Sequence, residues 1–238
     1  MAGNLSTKWL KVSQPSAHVL HVELNRTPVN AFNTQFWQEY GALFDNIADT
    51  VPDARVVVLS SAIPKLFTAG LDITETSMFN DTAADPARRA WELRRHIVEF
   101  QQAVGAPERC PIPVIVAVHG LVLGLGIDIM GYCDVRYTAS NASFSIKEVD
   151  IGLAADIGTL ATLPKATGNQ SLLNELAFST KQFSAAEAEK LGFVSKVVPG
   201  GRDEVVAEAL TLAQTIASKS PYAVASTKHL LLHSRDHT

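Results

Sequence analysis

The spacing of apolar residues changes several times along the chain, and each change predicts an element. Residues 18–25, HVLHVELN, alternate apolar and polar positions, the two-residue period of a half-buried strand. The following NTQFWQEYGALFDNIADT sets Phe36, Tyr40, Phe44 and Ile47 at helical spacing behind Asn33, a side chain suited to cap the first turn. Residues 54–61 (ARVVVLSS) and 113–120 (PVIVAVHG) are continuous apolar runs of strand length, as expected of strands covered on both faces. Between them, residues 87–104 carry Trp91, Leu93, Ile97 and Phe100 among charges and predict an amphipathic helix. After Gly120 the glycine-punctuated LVLGLGIDIMGYCD turns helical, and VRYTAS and SFSIKE predict two further strands.

From Gly168 onward helical patterns dominate. GNQSLLNELAFS and SAAEAEKLGF predict short helices, the second opened by Ser184 with Glu187 three residues on, a capping box. VSKVVP reads as a brief strand, and two longer helices meet near Ser220-Pro221, where proline favours a helix start. The shift from strands to helices near residue 165 divides the chain into a core, residues 1–165, and a helical C-terminal region, 166–238, of the same domain. The fold class predicted is α/β.

Composition narrows the function classes. Hydrophobic residues make up 47% and charged residues 18% of 238, a globular profile. A net charge of −4 argues against nucleic-acid binding while leaving room for a phosphorylated small molecule held by a few basic side chains. No apolar run reaches the roughly 18 residues of a membrane span, and the N-terminal residues match neither a secretory nor a transit signal. The final SRDHT is no peroxisomal tripeptide. The expectation is an intracellular protein with no targeting signal visible in the chain. Cys110 and Cys133 lie in no disulfide framework or metal-ligand spacing and read as reduced, buried thiols; no metal site is predicted.

Candidate chemistry gathers in FSIKEVDIGLAADIGTL. On a strand, Phe144, Ile146 and Glu148 share one face, so Glu148 ends an apolar row. Desolvation there raises a carboxyl pKa toward the range of a general acid/base; the alternative is a rim ion pair. Asp150 reads as a turn residue. Asp156 reads locally as an N-cap for the amides of residues 157–159, or as a second acid converging with Glu148 on one apolar pocket. Asp128 lies in the first turn of a helix behind Gly124 and Gly126, whose missing side chains let backbone approach a ligand. Free N–H groups at such a helix start suit an oxyanion. The loop FTAGLDI offers a second donor at Ala69-Gly70, followed by Leu71 and by Asp72, read as an Asx-type loop brace. His119 reads as a core histidine.

These segments together resemble the enoyl-CoA hydratase/isomerase (crotonase) superfamily, most closely its Δ3,5-Δ2,4-dienoyl-CoA isomerase branch, from about residue 18 to the C-terminus. The resemblance implies a ββα-spiral core with a C-terminal helical region, here shortened because the family continues for a few dozen residues further. It implies homotrimers or homohexamers, a peroxisomal or mitochondrial location, and an acyl-CoA thioester as the bound partner, with no cofactor beyond the coenzyme A the substrate carries. By position, the thioester oxygen would lie between the amides of Ala69 and Leu125. The family has three successive glycines where this chain has Gly124-Leu125-Gly126. Hydratases of the family carry two glutamates, at the positions of Asp128 and Glu148, and a glycine-rich stretch at Asp156. Dienoyl isomerases carry Asp, Glu and Asp at the three, as this chain does.

That trio implies an isomerase moving the double bonds of a 3,5-dienoyl-CoA to the 2,4 positions. Glu148 is set by position against C2 and Asp156 against C6, with Asp128 tuning the pair; the order of the two acids is open. A 2-enoyl-CoA hydratase and a catalytically inactive acyl-CoA-binding protein are the competing expectations.

Overall fold

In the computed structural model of the chain, which describes residues 5–74 and 85–237, two sheets and their helices enclose a large apolar core and a second, smaller apolar cluster. Strands β1 (Leu10–Ser16) and β2 (Val19–Leu24) precede helix α1 (Thr34–Thr50), then β3 (Val56–Ser61) and β4 (Leu66–Thr68). Helices α2 (Pro86–Val104) and α3 (Ala106–Arg109) lead to β5 (Val114–Val118), β6 (Leu121–Leu123) and α4 (Leu125–Gly131). After β7 (Val135–Ala139) and β8 (Ser143–Ser145), a single 3-10 turn spans Glu148–Ile151. The chain continues through α5 (Thr159–Ala166), α6 (Gln170–Ser179), β9 (Phe183–Ser184) and α7 (Ala185–Leu191). It ends in β10 (Lys196–Val198), α8 (Arg202–Ala217) and α9 (Pro221–Asp236).

The main sheet runs β1-β2-β3-β5-β7-β10 and the second β4-β6-β8-β9. Each of β3, β5 and β7 is thus followed by a short strand in the other sheet, and a helix returns the chain: the ββα spiral. Its consequence for function is directional. β4, β6 and β8 are parallel neighbours, so their C-terminal ends lie along one edge. The loops that follow them, at residues 69–72, 124–125 and 146–148, are therefore brought together, as ligand sites are at the carboxyl ends of parallel strands.

Most predicted elements form where the patterning places them. The Asn33 side chain caps α1 by accepting from the Phe36 amide at 3.0 Å, and the Ser184–Glu187 capping box opens α7. Helix α2 buries Phe100, Ala103 and Val104 and leaves Trp91 72% exposed. Cys110 and Cys133 are buried and unpaired, and burial pushes both thiols up. His119 is fully buried, with Nε2–H donating to the Ile63 carbonyl at 2.9 Å, and is a core histidine.

Three expectations change. Strand β2 is covered on both faces: Leu20, Val22 and Leu24 pack into the main core, while Val19 on the other face joins the apolar cluster beneath α8. Its polar positions are matched by partners: His21 Nε2 lies 2.8 Å from Ser60 Oγ, and Glu23 pairs with Arg202 at 2.6 Å. The SFSIKE strand ends at Ser145, so Glu148 stands on the 3-10 turn instead of in a strand row. Asp156 does not cap α5: the residue before that helix is Gly158, and no side chain of its own caps it.

Candidate active site

Backbone geometry at the meeting of the first two loops leaves two amides facing one space. Gly70, at φ +92°, packs so closely that a β-carbon there would lie 2.9 Å from the Leu123 carbonyl oxygen and 3.5 Å from the Leu125 nitrogen. Phe32 bridges to Leu71, its N–H donating to the Gly70 carbonyl and its carbonyl accepting from the Asp72 amide. In such a bridge the intervening Leu71 N–H points the other way. Leu71 N and Leu125 N have no acceptor among the described residues, and both residues line the same cavity. Ala69 lines it too, but its N–H donates to the Val29 carbonyl at 3.0 Å. The expected pairing of the Ala69 and Leu125 amides is therefore corrected: Ala69 is engaged, and Leu71 presents the free donor. Asp72 braces the loop as expected, accepting from Thr74 N at 3.2 Å and Thr74 Oγ1 at 2.6 Å, with Arg26 paired at 2.8 Å.

The cavity, about 440 Å³, is walled by apolar side chains including Phe32, Trp37, Ile97 and Phe100, and it brings Glu148, Asp128 and Asp156 together. Gly124, at φ +49°, admits the first of these, since a β-carbon there would stand 3.0 Å from Glu148 Oε1. Gly126 is fixed for another reason, its α-carbon facing Thr68 and Val122 within the core. Gly124→Ala is expected to destabilise the protein by about 1–3 kcal/mol through its backbone alone, read by urea denaturation, and to push the Glu148 carboxyl out of place.

Glu148 has the environment of a general base. Burial holds its pKa above the ordinary glutamate value, aided by the charge of Asp156 and opposed by its own and the Lys147 backbone amides. Oε2 is buried with no hydrogen-bond partner among the described residues. The turn that carries it is braced by Asp150, which accepts from Lys147 Nζ at 2.6 Å and from Thr180 Oγ1 at 2.7 Å. Those bonds, the Lys147 one foremost, hold the Asp150 carboxyl below its usual range. The middle acid of the segment is a brace, as its turn position predicts.

Asp128 is fully enclosed, and its pKa is pushed up to about 7, first by burial and then by the charge of Glu148. It performs the capping that the sequence suggests for Asp156: Oδ1 accepts from the Thr159 amide of α5 at 2.6 Å. Asp156 is instead exposed beside the cavity, and its backbone carbonyl accepts from Gln101 Nε2 at 2.8 Å. Sequence reasoning misses Gln101, Tyr132 and the Leu71 amide. None carries a local signal, because each acts through a backbone contact to a distant segment. Tyr132 is typical, its hydroxyl donating to the Ile157 carbonyl at 3.1 Å.

Two free amides beside a partly desolvated carboxyl, with a second carboxyl across an apolar cavity, can stabilise an enolate oxygen while protons move at two carbons. The chain belongs to the enoyl-CoA hydratase/isomerase family, which matches residues 14–238. Within the family it is similar to the mitochondrial Delta(3,5)-Delta(2,4)-dienoyl-CoA isomerase of Homo sapiens, 48% identical over 232 residues that cover 96% of this chain and 70% of that protein. The peroxisomal protein of the same name from Arabidopsis thaliana is 40% identical over 222 residues, 92% of this chain and 78% of that one. Among solved structures, an enoyl-CoA hydratase from Bacillus anthracis superposes with a TM-score of 0.82 at 27% identity, covering 97% of this chain and 85% of that one. No described helix is long and apolar enough to cross a membrane.

Proposed function

We propose that the protein is a dienoyl-CoA isomerase that converts a 3,5-dienoyl-CoA thioester to its 2,4 isomer. The observation that carries the reading is the placement of Glu148 and Asp156 on one apolar cavity with the Leu71 and Leu125 amides. Glu148 lies against Gly124, next to the Leu125 amide, which sets it nearest the carbons beside the thioester carbonyl. Its carboxylate takes the C2 proton, and that electron pair forms the C2–C3 double bond. The C3–C4 pair shifts to C4–C5, and the C5–C6 pair takes a proton at C6 from the Asp156 carboxyl. In the dienolate between these steps the thioester oxygen carries charge, which the two amides hold. The cycle closes when the proton taken up by Glu148 leaves the cavity and one returns to Asp156, which is exposed to solvent at the cavity's side.

The substrate class is an acyl-CoA thioester whose acyl chain lies among Phe32, Trp37, Ile97 and Phe100; the chemistry calls for no further cofactor. A mitochondrial or peroxisomal location is supported by the relatives whose names carry those organelles. Assembly as a homotrimer or homohexamer is supported by the apolar residues left exposed on the helical region, Phe178 at 75% and Tyr222 at 85% among them.

The test offers 3,5-dienoyl-CoA and 2-enoyl-CoA side by side and follows absorbance of the conjugated dienoyl thioester. Isomerisation of the first with little hydration of the second is expected. Asp156→Asn is expected to lower isomerisation by about 100-fold, the usual scale for one proton-transfer group. Wild-type rates in Asp156→Asn would sink the two-acid scheme, and hydration alone would make the protein a hydratase.

A further inference from the structure

Residues 152–158, which carry Asp156, form neither helix nor strand. Locally the backbone at Asp156 has one short-range bond, its amide donating to the Ala154 carbonyl at 2.9 Å. Beside it the Leu160 amide donates to the Ala155 carbonyl at 3.2 Å, and further support comes from side chains far away in sequence. Tyr132 and Asp128, both at α4, hold the next positions, Tyr132 OH donating to the Ile157 carbonyl and Asp128 accepting from the Thr159 amide. Gly158 makes the first possible, because a β-carbon there would sit 2.4 Å from the Tyr132 ring. Asp156 itself is held from another direction, by Gln101 Nε2 on α2 donating to its carbonyl at 2.8 Å. The preceding residue, Phe100, and Ile97 one turn earlier both wall the cavity.

We infer that Gln101 is a positioning residue that sets Asp156 at the height of the distal carbon of the acyl chain. The inference rests on the reading of this cavity as a dienoyl-CoA isomerase site and extends it. Helix α2 then has two tasks on adjacent residues. Phe100 and Ile97 shape the wall that receives the chain, while Gln101 fixes the acid that must meet C6. A chain seated against that wall and the acid that protonates it are referred to the same helix. Among the described residues Gln101 makes no hydrogen bond to the Glu148 turn, which is held by Asp150, Lys147 and Thr180 and by the Leu153 amide donating to the Glu148 carbonyl at 3.0 Å. Loss of the Gln101 bond therefore acts on delivery of the proton at C6 more than on its removal at C2.

The experiment measures two rates on one 3,5-dienoyl-CoA substrate: hydrogen exchange at C2 in heavy water, and appearance of the 2,4-dienoyl chromophore. Wild type is compared with Gln101→Glu, which keeps the size but cannot donate, with Gln101→Leu, and with Gln101→Lys, which restores a donor. The ratio of C2 exchange to isomerisation is expected to rise about tenfold in the Glu and Leu variants, since misplacing one reacting group by about an ångström costs up to 100-fold. It is expected to return toward the wild-type ratio in the Lys variant. Gln101 is exposed to solvent at its amide contact, so Gln101→Glu keeps the test open where Gln101→Leu folds poorly. An unchanged ratio, or an equal fall of both rates, overturns the positioning role while leaving the isomerase reading in place. A wild-type protein that neither exchanges C2 nor isomerises overturns the isomerase reading, and this inference with it.

Discussion

Glu148→Gln is expected to lower dienoyl-CoA isomerisation by about 1,000- to 10,000-fold, the upper part of the range for a general base at the first bond to break. The substitution keeps the size of the side chain and removes its capacity to take a proton. The fold is expected to survive it, because Oε2 has no hydrogen-bond partner among the described residues to lose. The same residue sets a pH dependence. A base must be ionised to act, and burial raises the pKa of Glu148 above the ordinary 4.5. The wild-type rate is therefore expected to climb with pH through that raised pKa. The residual rate of the Gln variant is expected to lack the climb. Kinetics across pH 4 to pH 8, under a denaturation check that the variant is folded, reads both effects. Retention of activity within a few-fold of wild type removes Glu148 from the chemistry, whatever its burial.

How far the site is legible in sequence depends on whether a residue's role is local. The runs VVVLSS and VIVAV announce buried strands because a strand covered on both faces needs apolar residues at every position. Strand β1, LKVSQPS, escapes the same reading, since only Leu10 and Val12 are buried and its remaining positions are polar. Strand β2 shows the limit of periodicity. His21 and Glu23 look like solvent-facing positions until Ser60 and Arg202 supply partners. Glu148 is legible because Phe144 and Ile146 announce an apolar neighbourhood, although the strand ends before reaching it. The direction of an amide is another matter. Whether Ala69 or Leu71 presents a free N–H depends on the bridge to Phe32 and on Val29, remote residues whose register no local pattern encodes. For the same reason the cap of α5 is assigned locally to Asp156 and is supplied in space by Asp128.

Asp128→Asn is expected to make the protein more stable at pH 8 and less stable, by about 1–3 kcal/mol, at pH 4, where only the cost of its unpaired NH₂ group remains. The folded-state pKa of Asp128 is about 7 against an ordinary 3.8. Between those values the folded protein keeps a proton that the unfolded chain has released. Wild-type stability must then fall as pH rises through this window and level off above it. The full separation corresponds to about 4 kcal/mol. Asparagine cannot ionise, and its side-chain oxygen can still accept from the Thr159 amide, so the cap of α5 persists. Its buried NH₂ group, lacking an obvious acceptor, returns about 1–3 kcal/mol of that gain. A net stabilisation of about 1–3 kcal/mol at pH 8 remains, and urea denaturation of both proteins at the two pH values measures it. A difference between variant and wild type that is the same at both would show that Asp128 ionises in the fold as it does in water. The expected result has a mechanistic counterpart. If Asp128 carries its proton below neutrality, it adds little negative charge beside Glu148 there, and the base titrates under burial, its own and the Lys147 backbone amides, and the charge of Asp156. Above neutrality, ionisation of Asp128 places a second charge against Glu148 and strengthens the carboxylate as a proton acceptor. On the isomerase reading, Asp128 would tune the base from inside the core, at a cost in stability above neutrality.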